Sequence, residues 1–567
     1  MDYIRNYQLW LKDDLARQEL NLIENDQKEI EYRFGAELKF GTAGMRGLIG
    51  FGTNMLNVYT VKRATKGLAE YIKTLGEKAM KRGVVISYDT RRNSDVFAMA
   101  TAGVLIQNGI NVKIFEKPSP VPMLSYAVRS FKAVAGVMIT ASHNPKEYNG
   151  YKVYGEDGAQ MSPEATQVVV DFISKITDYF SVKSAEYNEI KAQKGVKVLG
   201  KSFTDKYVKT LTKLSLSKKA VKAVGKDLKI VYTPLHGTGY IPVTKVLSKL
   251  GINVSVVDSQ VKPDPDFSTV EVPNPENKEA MTLGVSLADK IGADVVFGTD
   301  PDSDRLGVAI RDNEGKFINL SGNQVGVLLT DYVLKRLKED GKLPSNGAVI
   351  KSFVSTGMVK PVCDDYGVEL MDVPVGFKFI GEKIKNFETT KSNTYLFGFE
   401  ESCGYLRGTH ARDKDAVVAS MLFAEMTCYY EYNKTSVYKV LQSLYNKYGF
   451  VIDKTISIGY KGLSAMDEMN AVVDKMRSST VTVDGFEIVA VRDYLTGERV
   501  CDGKTEKLEY SGINCLYYEL LGGGFICLRP SGTEPKLKIY YSVVGKSEED
   551  ASSKVESLTS SFEKLLK

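Results

Sequence analysis

No run of about 18 apolar residues occurs in the chain, so no transmembrane span is expected. The opening residues, Met1-Asp2-Tyr3-Ile4-Arg5, lack the apolar core of a signal peptide, and a cytoplasmic protein is expected. Cysteine is sparse: Cys363, Cys403, Cys428, Cys501, Cys515 and Cys527 are scattered and form no CxxC pair. Neither a zinc ribbon nor a redox motif is supported, and reduced thiols are expected. Histidine is rarer still. His143, His236 and His410 lie too far apart in sequence to read as a zinc site. Charge of one sign is missing too. The 75 basic and 70 acidic residues leave a net charge of +5, which gives no argument for nucleic acid although it mildly favours anionic substrates. The lysines Lys218, Lys219, Lys222 and Lys226 read as a solvated helix face. What is present is ordinary: 43% hydrophobic and 26% charged residues exclude a disordered or fibrous chain. The length of 567 residues implies about three to five domains.

One layout recurs three times. An apolar run from Val84 ends in the polar loop Tyr88-Asp89-Thr90-Arg91. A helical segment follows, then Val112–Phe115, then Val134–Ile139, which opens into Thr140-Ala141-Ser142-His143-Asn144-Pro145. Leu228–Tyr232 leads into the Gly-rich loop Pro234–Gly239. Val254–Val257 follows, and then Asp294–Phe297, which opens into Gly298-Thr299-Asp300-Pro301-Asp302. Ala348–Ile350, Val368–Met371 and Tyr395–Phe397 repeat the order, and the last opens into Gly398-Phe399-Glu400-Glu401-Ser402. Short apolar runs separated by helical segments predict buried, largely parallel strands with crossover helices. Ligands gather at the carboxyl ends of such strands. In each copy the third strand delivers an unusual polar loop there, which predicts three related α/β domains. From about Tyr448 the runs shorten and alternate: Thr480–Val483, Glu487–Val491 and Leu537–Ser542. The tail from Glu548 is an amphipathic helix, so a small α+β domain with an antiparallel sheet is predicted.

Four loops carry chemistry. A serine such as Ser142, between a strand and a Pro-containing turn, is ordinarily a turn former or cap. Flanked by His143 and followed by Lys152, it also has the makings of a nucleophile. A hydrolytic triad is disfavoured because the GxSxG elbow is missing. In Asp300-Pro301-Asp302-Ser303-Asp304-Arg305 three carboxylates alternate within five residues, and their repulsion calls for a cation or for solvation. Arg305 and Arg311 stand where an EF-hand needs Gly and Glu, so Mg²⁺ with a phosphate oxygen fits better. An apolar strand feeding the loop weakens the solvated alternative. The glutamates and Ser402 of the third loop suit sugar hydroxyls, a weak signal alone. In Arg529-Pro530-Ser531-Gly532-Thr533-Glu534-Pro535-Lys536 the guanidinium, the hydroxyls and a glycine-freed backbone read as a phosphate cradle or as an ordinary turn. Gly195–Ser202 satisfies GxxxxGK[ST], but the polar, irregular segment before it argues for a chance match.

Together, in this order and over nearly the whole chain, these loops resemble those of the α-D-phosphohexomutase family. Phe40-Gly41-Thr42-Ala43-Gly44-Met45-Arg46-Gly47 is similar to its N-terminal signature. The resemblance implies three repeated mixed, largely parallel α/β domains (1–205, 206–318 and 319–447) and a smaller C-terminal α+β phosphate-binding domain (448–567), set around a central cleft. It implies that Ser142 is a phosphoserine and that Asp300, Asp302 and Asp304 hold one Mg²⁺ per chain with that phosphate. Arg46 and Arg305 would lie beside it, with His143 adjacent. Lys152 and Lys414 match positions with acid–base or phosphate roles. Glu400 and Ser402, helped by the loop carrying Gly376 and Lys378, would hold the sugar. Arg529, Ser531, Gly532 and Thr533 would grip the distal phosphate. Glu400-Glu401-Ser402 followed by Cys403-Gly404 resembles the phosphoglucomutase and phosphopentomutase branch. That branch implies exchange of glucose 1-phosphate with glucose 6-phosphate through glucose 1,6-bisphosphate in a monomer or weak dimer. Pentose, mannose and bisphosphate-synthase variants of the family are the alternatives.

Overall fold

The computed structural model describes residues 2–41, 44–186, 189–190, 193–460, 464–531 and 536–566. The described residues form two compact units, Met1–Gly322 with Phe377–Thr435, and Asn323–Gly376 with Ser436–Lys567. In the first, strands β1 (Gly44–Leu48), β2 (Val84–Tyr88), β3 (Val112–Phe115), β4 (Ala135–Ile139), β5 (Tyr148–Gly155) and β6 (Val196–Leu199) make one sheet, ordered β1-β5-β4-β2-β3-β6. β2, β3, β4 and β6 run parallel, while β5 is antiparallel to β4 and β1 is antiparallel to β5. Residues 84–87 of β2 and all of β4 are buried. That is why these strands read as unbroken apolar runs: parallel strands are covered on both faces. Leu68 and Ile72 from the helix Val58–Thr74, and Phe97 and Leu105 from the helix Ser94–Gln107, share one core with Ile86 and Val137.

A second sheet, β7 (Ile230–Thr233), β8 (Val254–Val256), β9 (Val295–Thr299), β10 (Leu306–Arg311) and β11 (Phe317–Leu320), is ordered β11-β10-β9-β7-β8. β7, β8 and β9 are parallel and β10 returns antiparallel. The third copy supplies β12 (Gly347–Ser352) and β13 (Glu369–Val373), a parallel pair in the second unit. It also supplies the hairpin β14 (Thr394–Glu400) and β15 (Gly404–Leu406) in the first unit. All nine strands read from sequence are therefore present. The loop after the third strand of each copy holds a non-glycine residue in the left-handed region: Ser142 (φ 52°), Ser303 (φ 53°) and Cys403 (φ 59°). The repeat thus extends to a turn that L-residues adopt at a cost.

The second unit ends in an antiparallel sheet of β16 (Phe450–Gly459), β17 (Ile488–Asp493), β18 (Glu498–Cys501), β19 (Lys504–Lys507), β20 (Leu516–Leu520), β21 (Phe525–Pro530) and β22 (Lys536–Gly545), ordered β16-β22-β21-β20-β17-β18-β19. The helices Ala465–Ser478 and Glu548–Glu563 bury Met469, Val473, Leu558 and Phe562 against it. Among the described residues no helix is long and apolar enough to cross a membrane.

One expectation changes. Thr480–Val483 forms no strand. It is squeezed between a helix and the turn at Gly485 (φ 80°), and Val483 makes a single bridge to Phe486. The GxxxxGK[ST] match does lie at a strand–helix junction, but its four middle residues are β6 itself, paired with β3. The helix Lys201–Leu211 starts directly after Gly200, so no loop is left to wrap a phosphate. Three short helices also precede the first sheet: Tyr3–Trp10, Asp14–Asn21 and Gln27–Phe34. Asp2, Asp13 and Asp26 cap them, each accepting a backbone N–H.

Close backbone approach fixes one glycine. Gly44 has φ 151°, and a Cβ there would sit 2.0 Å from the Tyr151 carbonyl oxygen. Gly44→Ala is expected to break the β1–β5 pairing that carries Arg46, at about 1–3 kcal/mol for the backbone strain alone. Thermal unfolding measures the loss. An unchanged midpoint would show that this edge gives way freely.

Candidate active site

Ser142 follows β4 on a turn, with its backbone in the left-handed region (φ 52°). The residue is buried, 4% exposed. Its amide donates to Thr140 Oγ1 at 2.8 Å, and its hydroxyl donates to Asp300 Oδ2 at 2.8 Å. His143 Nδ1 lies 3.2 Å from Ser142 Oγ. Burial, and then the charges of Arg305, Arg46, Lys152 and Arg91, push the imidazole of His143 well below its ordinary range, which leaves it neutral at pH 7. The carboxyl end of β4 thus meets the carboxyl end of β9, the edge where α/β sheets place their ligands.

Asp300, Asp302 and Asp304 lie on the turn between β9 and β10, all buried, each with a carboxylate oxygen within 4.8 Å of the others. Asp300 Oδ1 accepts from the amides of Asp304 (3.1 Å) and Arg305 (3.0 Å), which curls the turn around it. Thr238, in the Gly-rich loop, donates both its amide and its hydroxyl to Pro301 O at 2.9 Å and supports the turn from beneath. The Val121 amide, opening the helix Val121–Phe131, donates to Asp302 O at 2.9 Å. Burial raises Asp300 well above the usual carboxylate range, and the charges of Asp302 and Asp304 raise it further. Burial also raises Asp304. Burial opposes ionisation of Asp302 as well, but the Lys152 ammonium and hydrogen bonds from Asp300 and Lys152 hold it well below that range. Asp302 Oδ1 and Asp304 Oδ1 are buried without a hydrogen-bond partner. Oxygen-only donors, crowded charge and orphaned oxygens together are what a hard divalent cation satisfies.

Two lysines flank the triad. Lys152, on β5 opposite Met138 and Gly44, reaches Asp302 Oδ2 at 3.0 Å. Lys414 reaches Asp304 Oδ2 and Asp413 Oδ1, each at 3.2 Å. Its stem crosses Gly404, where a Cβ would stand 2.1 Å from Lys414 Cδ. Burial works against its charge, but Asp304, Asp413 and Glu400 outweigh it and raise its pKa. Asp413 is held in turn by the Tyr154 hydroxyl at 2.9 Å. Neither Asp413 nor Tyr154 stands out in the sequence, although both fix Lys414. Arg305 pairs with Glu276 and bridges antiparallel to Gly404, and the Leu306 amide donates to Cys403 O at 2.9 Å. The loop with Glu400 (buried) and Ser402 (half-buried) therefore abuts the aspartate turn. Arg46 is exposed on β1 and donates to Asn144 Oδ1 at 3.0 Å.

The other histidines are structural. His236 is tied to Lys262 O (3.0 Å) and Thr269 Oγ1 (2.8 Å). His410 Nε2 lies 2.7 Å from Asp415 Oδ2, which also accepts from the Tyr207 hydroxyl at 2.8 Å. Gly376 ends a segment of the second unit, and Lys378 lies in the first. Also in the second unit, Arg529 stands on β21 opposite Lys538, and the Ser531 amide donates to Lys536 O at 2.8 Å. Gly532 and Thr533 lie outside the described residues.

Residues 37–180, 205–315 and 321–448 match, in order, the phosphoglucomutase/phosphomannomutase alpha/beta/alpha domains I, II and III. A phosphoglucomutase of Staphylococcus haemolyticus is 37% identical over 521 residues, 90% of this chain and 91% of that protein. One from Staphylococcus aureus strain USA300 is 36% identical over 94% of both chains. Among solved structures, a phosphomannomutase-like protein of Thermus thermophilus, described as putative, superposes with a TM-score of 0.69 at 22% identity, covering 94% of this chain and 99% of the other. The open form of the Paramecium phosphoprotein pp63/parafusin superposes with a TM-score of 0.68 at 16% identity, over 94% of this chain and 95% of that one. At these identities the two structures speak to the fold.

Proposed function

Because the chain belongs to the α-D-phosphohexomutase family, we propose that this phosphosugar mutase interconverts glucose 1-phosphate and glucose 6-phosphate through a phosphorylated Ser142. One observation carries the reading: a buried serine hydroxyl 2.8 Å from a buried carboxylate triad. The Ser142 Oγ–P bond breaks as a bond forms between phosphorus and a sugar hydroxyl oxygen, whose proton leaves to a base. The bisphosphate, glucose 1,6-bisphosphate, turns and returns its other phosphoryl group to Ser142. Phosphoryl transfer asks the protein mainly for positioning and charge neutralisation. Asp300, Asp302 and Asp304 would hold Mg²⁺, which when bound supplies neutralisation of the phosphoryl oxygens. Lys152, Lys414, Arg46 and Arg305 supply the protein's own positive charge, and His143, neutral, accepts from or donates to Ser142 Oγ. Glu400, Ser402, Gly376 and Lys378 are assigned to the sugar hydroxyls. Arg529, Ser531, Gly532 and Thr533 are assigned to the non-reacting phosphate. The four-domain division at 205, 318 and 447, a cytoplasmic location and a monomer or weak dimer belong to the same reading.

A coupled assay comparing glucose 1-phosphate, mannose 1-phosphate and ribose 1-phosphate tests the sugar. Glucose 1-phosphate is expected to give the highest kcat/KM, and a preference for either of the others would overturn that assignment. Arg529→Ala is expected to raise KM by tenfold or more (roughly 1.5–3 kcal/mol for a charged hydrogen bond) with little change in kcat. A loss confined to kcat would place Arg529 on the reacting phosphoryl group instead.

A further inference from the structure

Arg91 belongs to none of the four loops, yet the turn that carries Ser142 is wound around it. Its side chain is wholly buried. One terminal nitrogen donates to Ser142 O at 2.6 Å and also to Asn144 O. The other donates to Pro145 O at 2.8 Å and Tyr148 O at 3.0 Å. Its Nε lies 3.2 Å from Asp89 Oδ2 as an ion pair in which neither atom has a hydrogen-bond partner among the described residues, and its Cζ lies 5.0 Å from the centroid of the Phe267 ring. Asp89 is itself fixed, accepting from the Arg91 amide at 2.9 Å and the Ser94 hydroxyl at 2.7 Å. Ser94 Oγ accepts from Asn149 Nδ2 at 2.9 Å, which closes the network back onto the start of β5.

Four carbonyl oxygens converge on one guanidinium. Pro145 O also accepts from the Tyr148 amide at 3.1 Å, but the guanidinium is the group that ties all four carbonyls together, and Ser142 O meets it in a buried position. The turn they belong to contains the strained residue, Ser142 at φ 52°. Such a conformation costs about 1–3 kcal/mol and persists only where its surroundings over-determine it. The two terminal nitrogens of a planar guanidinium carry four N–H groups and can serve four carbonyls together; a lysine ammonium, with three donors, cannot.

We propose that Arg91 is a positioning residue for the nucleophile. By holding the carbonyls of Ser142, Asn144, Pro145 and Tyr148, it fixes the left-handed backbone of Ser142 and so the direction in which Oγ presents the phosphoryl group. The proposal rests on Ser142 being the phosphoryl carrier. It accounts for a buried ion pair at the end of β2 whose guanidinium hydrogen bonds go to the main chain of the Ser142 turn and not to the aspartate turn or the sugar loop. A guanidinium facing main chain tunes geometry and not substrate affinity, so its loss falls on kcat and leaves KM alone.

The test is steady-state kinetics of Arg91→Lys and Arg91→Met, with amide hydrogen exchange on the unmodified enzyme. Arg91→Met is expected to lower kcat about 100-fold, the scale of an ångström-sized misplacement, and Arg91→Lys roughly tenfold. KM should stay within about threefold in both, since positioning of the nucleophile leaves substrate binding alone. In the unmodified enzyme, the amides of Asn144 and Tyr148, bonded within the turn to Ala141 O and Pro145 O at 3.1 Å each, should exchange as slowly as those of β4 and β5, with or without phosphate on Ser142. This second measurement decides the matter if a variant does not fold. A folded variant with kcat within twofold of the parent, a loss carried by KM, or fast exchange at the Asn144 and Tyr148 amides would overturn the proposal. If Ser142→Ala kept full turnover, the carrier assignment itself would fail. If Ser142→Ala were dead while Arg91→Lys and Arg91→Met kept their kcat, only the positioning role would fail.

Discussion

Ser142→Ala is expected to reduce mutase turnover by on the order of 10⁴-fold or more, because removal of a covalent nucleophile leaves only binding and electrostatics. The fold should tolerate the change. Ser142 donates one hydrogen bond to Asp300, and its loss costs about 1 kcal/mol. The raised pKa of Asp300 softens even that cost, since a protonated carboxyl has less need of a donor. A cavity the size of one hydroxyl adds little. The variant should therefore unfold within a few degrees of the parent while losing its activity. Intact mass provides a second readout. Part of the parent population should carry one covalent phosphoryl group, and the variant none. Retained turnover, or a phosphoryl mass that survives the substitution, would place the carrier elsewhere. The contrast with Asp413, which fixes Lys414 two steps away, is useful: a supporting residue lowers the rate without removing the phosphoryl mass.

The sequence exposes the parts of this site whose chemistry requires a particular residue type. Three alternating aspartates and a serine at a strand end are legible because charge and turn preference are properties of single residues. Of the nine repeated strands, β2, β4, β7, β9 and β12 are legible because parallel strands buried on both faces leave unbroken apolar runs. The strand β5 is not, since Tyr148–Gly155 mixes glycine, tyrosine and a lysine. The strand is largely buried, but close approach to β1 at Gly150 and the charge at Lys152 break the apolar run. The three short N-terminal helices were within reach of an N-cap search, as each begins after an aspartate. Arg91 was not, because its partners are carbonyls that every residue carries. Asp413 and Tyr154 escape for a related reason: 259 positions separate them, and only the packing of the first unit brings the Tyr154 hydroxyl to the carboxylate. The chance GxxxxGK[ST] match shows the converse. Its letters were right, but its middle residues were already committed to the sheet.

Asp302→Asn is expected to weaken Mg²⁺ binding by at least about 100-fold, since even outer-shell changes at metal sites cost 10–100-fold and this change removes a charged ligand. Asp302 is the one carboxylate of the three whose pKa is held low, by Lys152, so it supplies standing negative charge before any cation arrives. Its shape survives as asparagine, and the amide oxygen can still face Lys152 and Thr140. The metal-free variant should be somewhat less stable than the parent, because the charge of Asp302 is favoured by its surroundings and its loss leaves Lys152 without its carboxylate. A second difference appears when Mg²⁺ is added. A ligand at 100 times its Kd stabilises the parent by about 2.7 kcal/mol, and the variant, far from saturation, should gain little. A pH series adds an independent check with a fixed sign. Asp300 is raised by burial and then by the charges of Asp302 and Asp304, so in the metal-free parent it keeps its proton above the ordinary carboxylate range. Mg²⁺ must displace that proton, so affinity falls as pH falls. Removing the Asp302 charge lowers Asp300 towards its usual value, which moves the acid loss of affinity to lower pH even as the affinity at neutral pH drops. Calorimetric titration with Mg²⁺ in buffers of different ionisation enthalpy measures both the Kd and the protons released. An unchanged Kd, or proton release identical in parent and variant, would mean that the orphaned oxygens of the triad serve some purpose other than holding the cation.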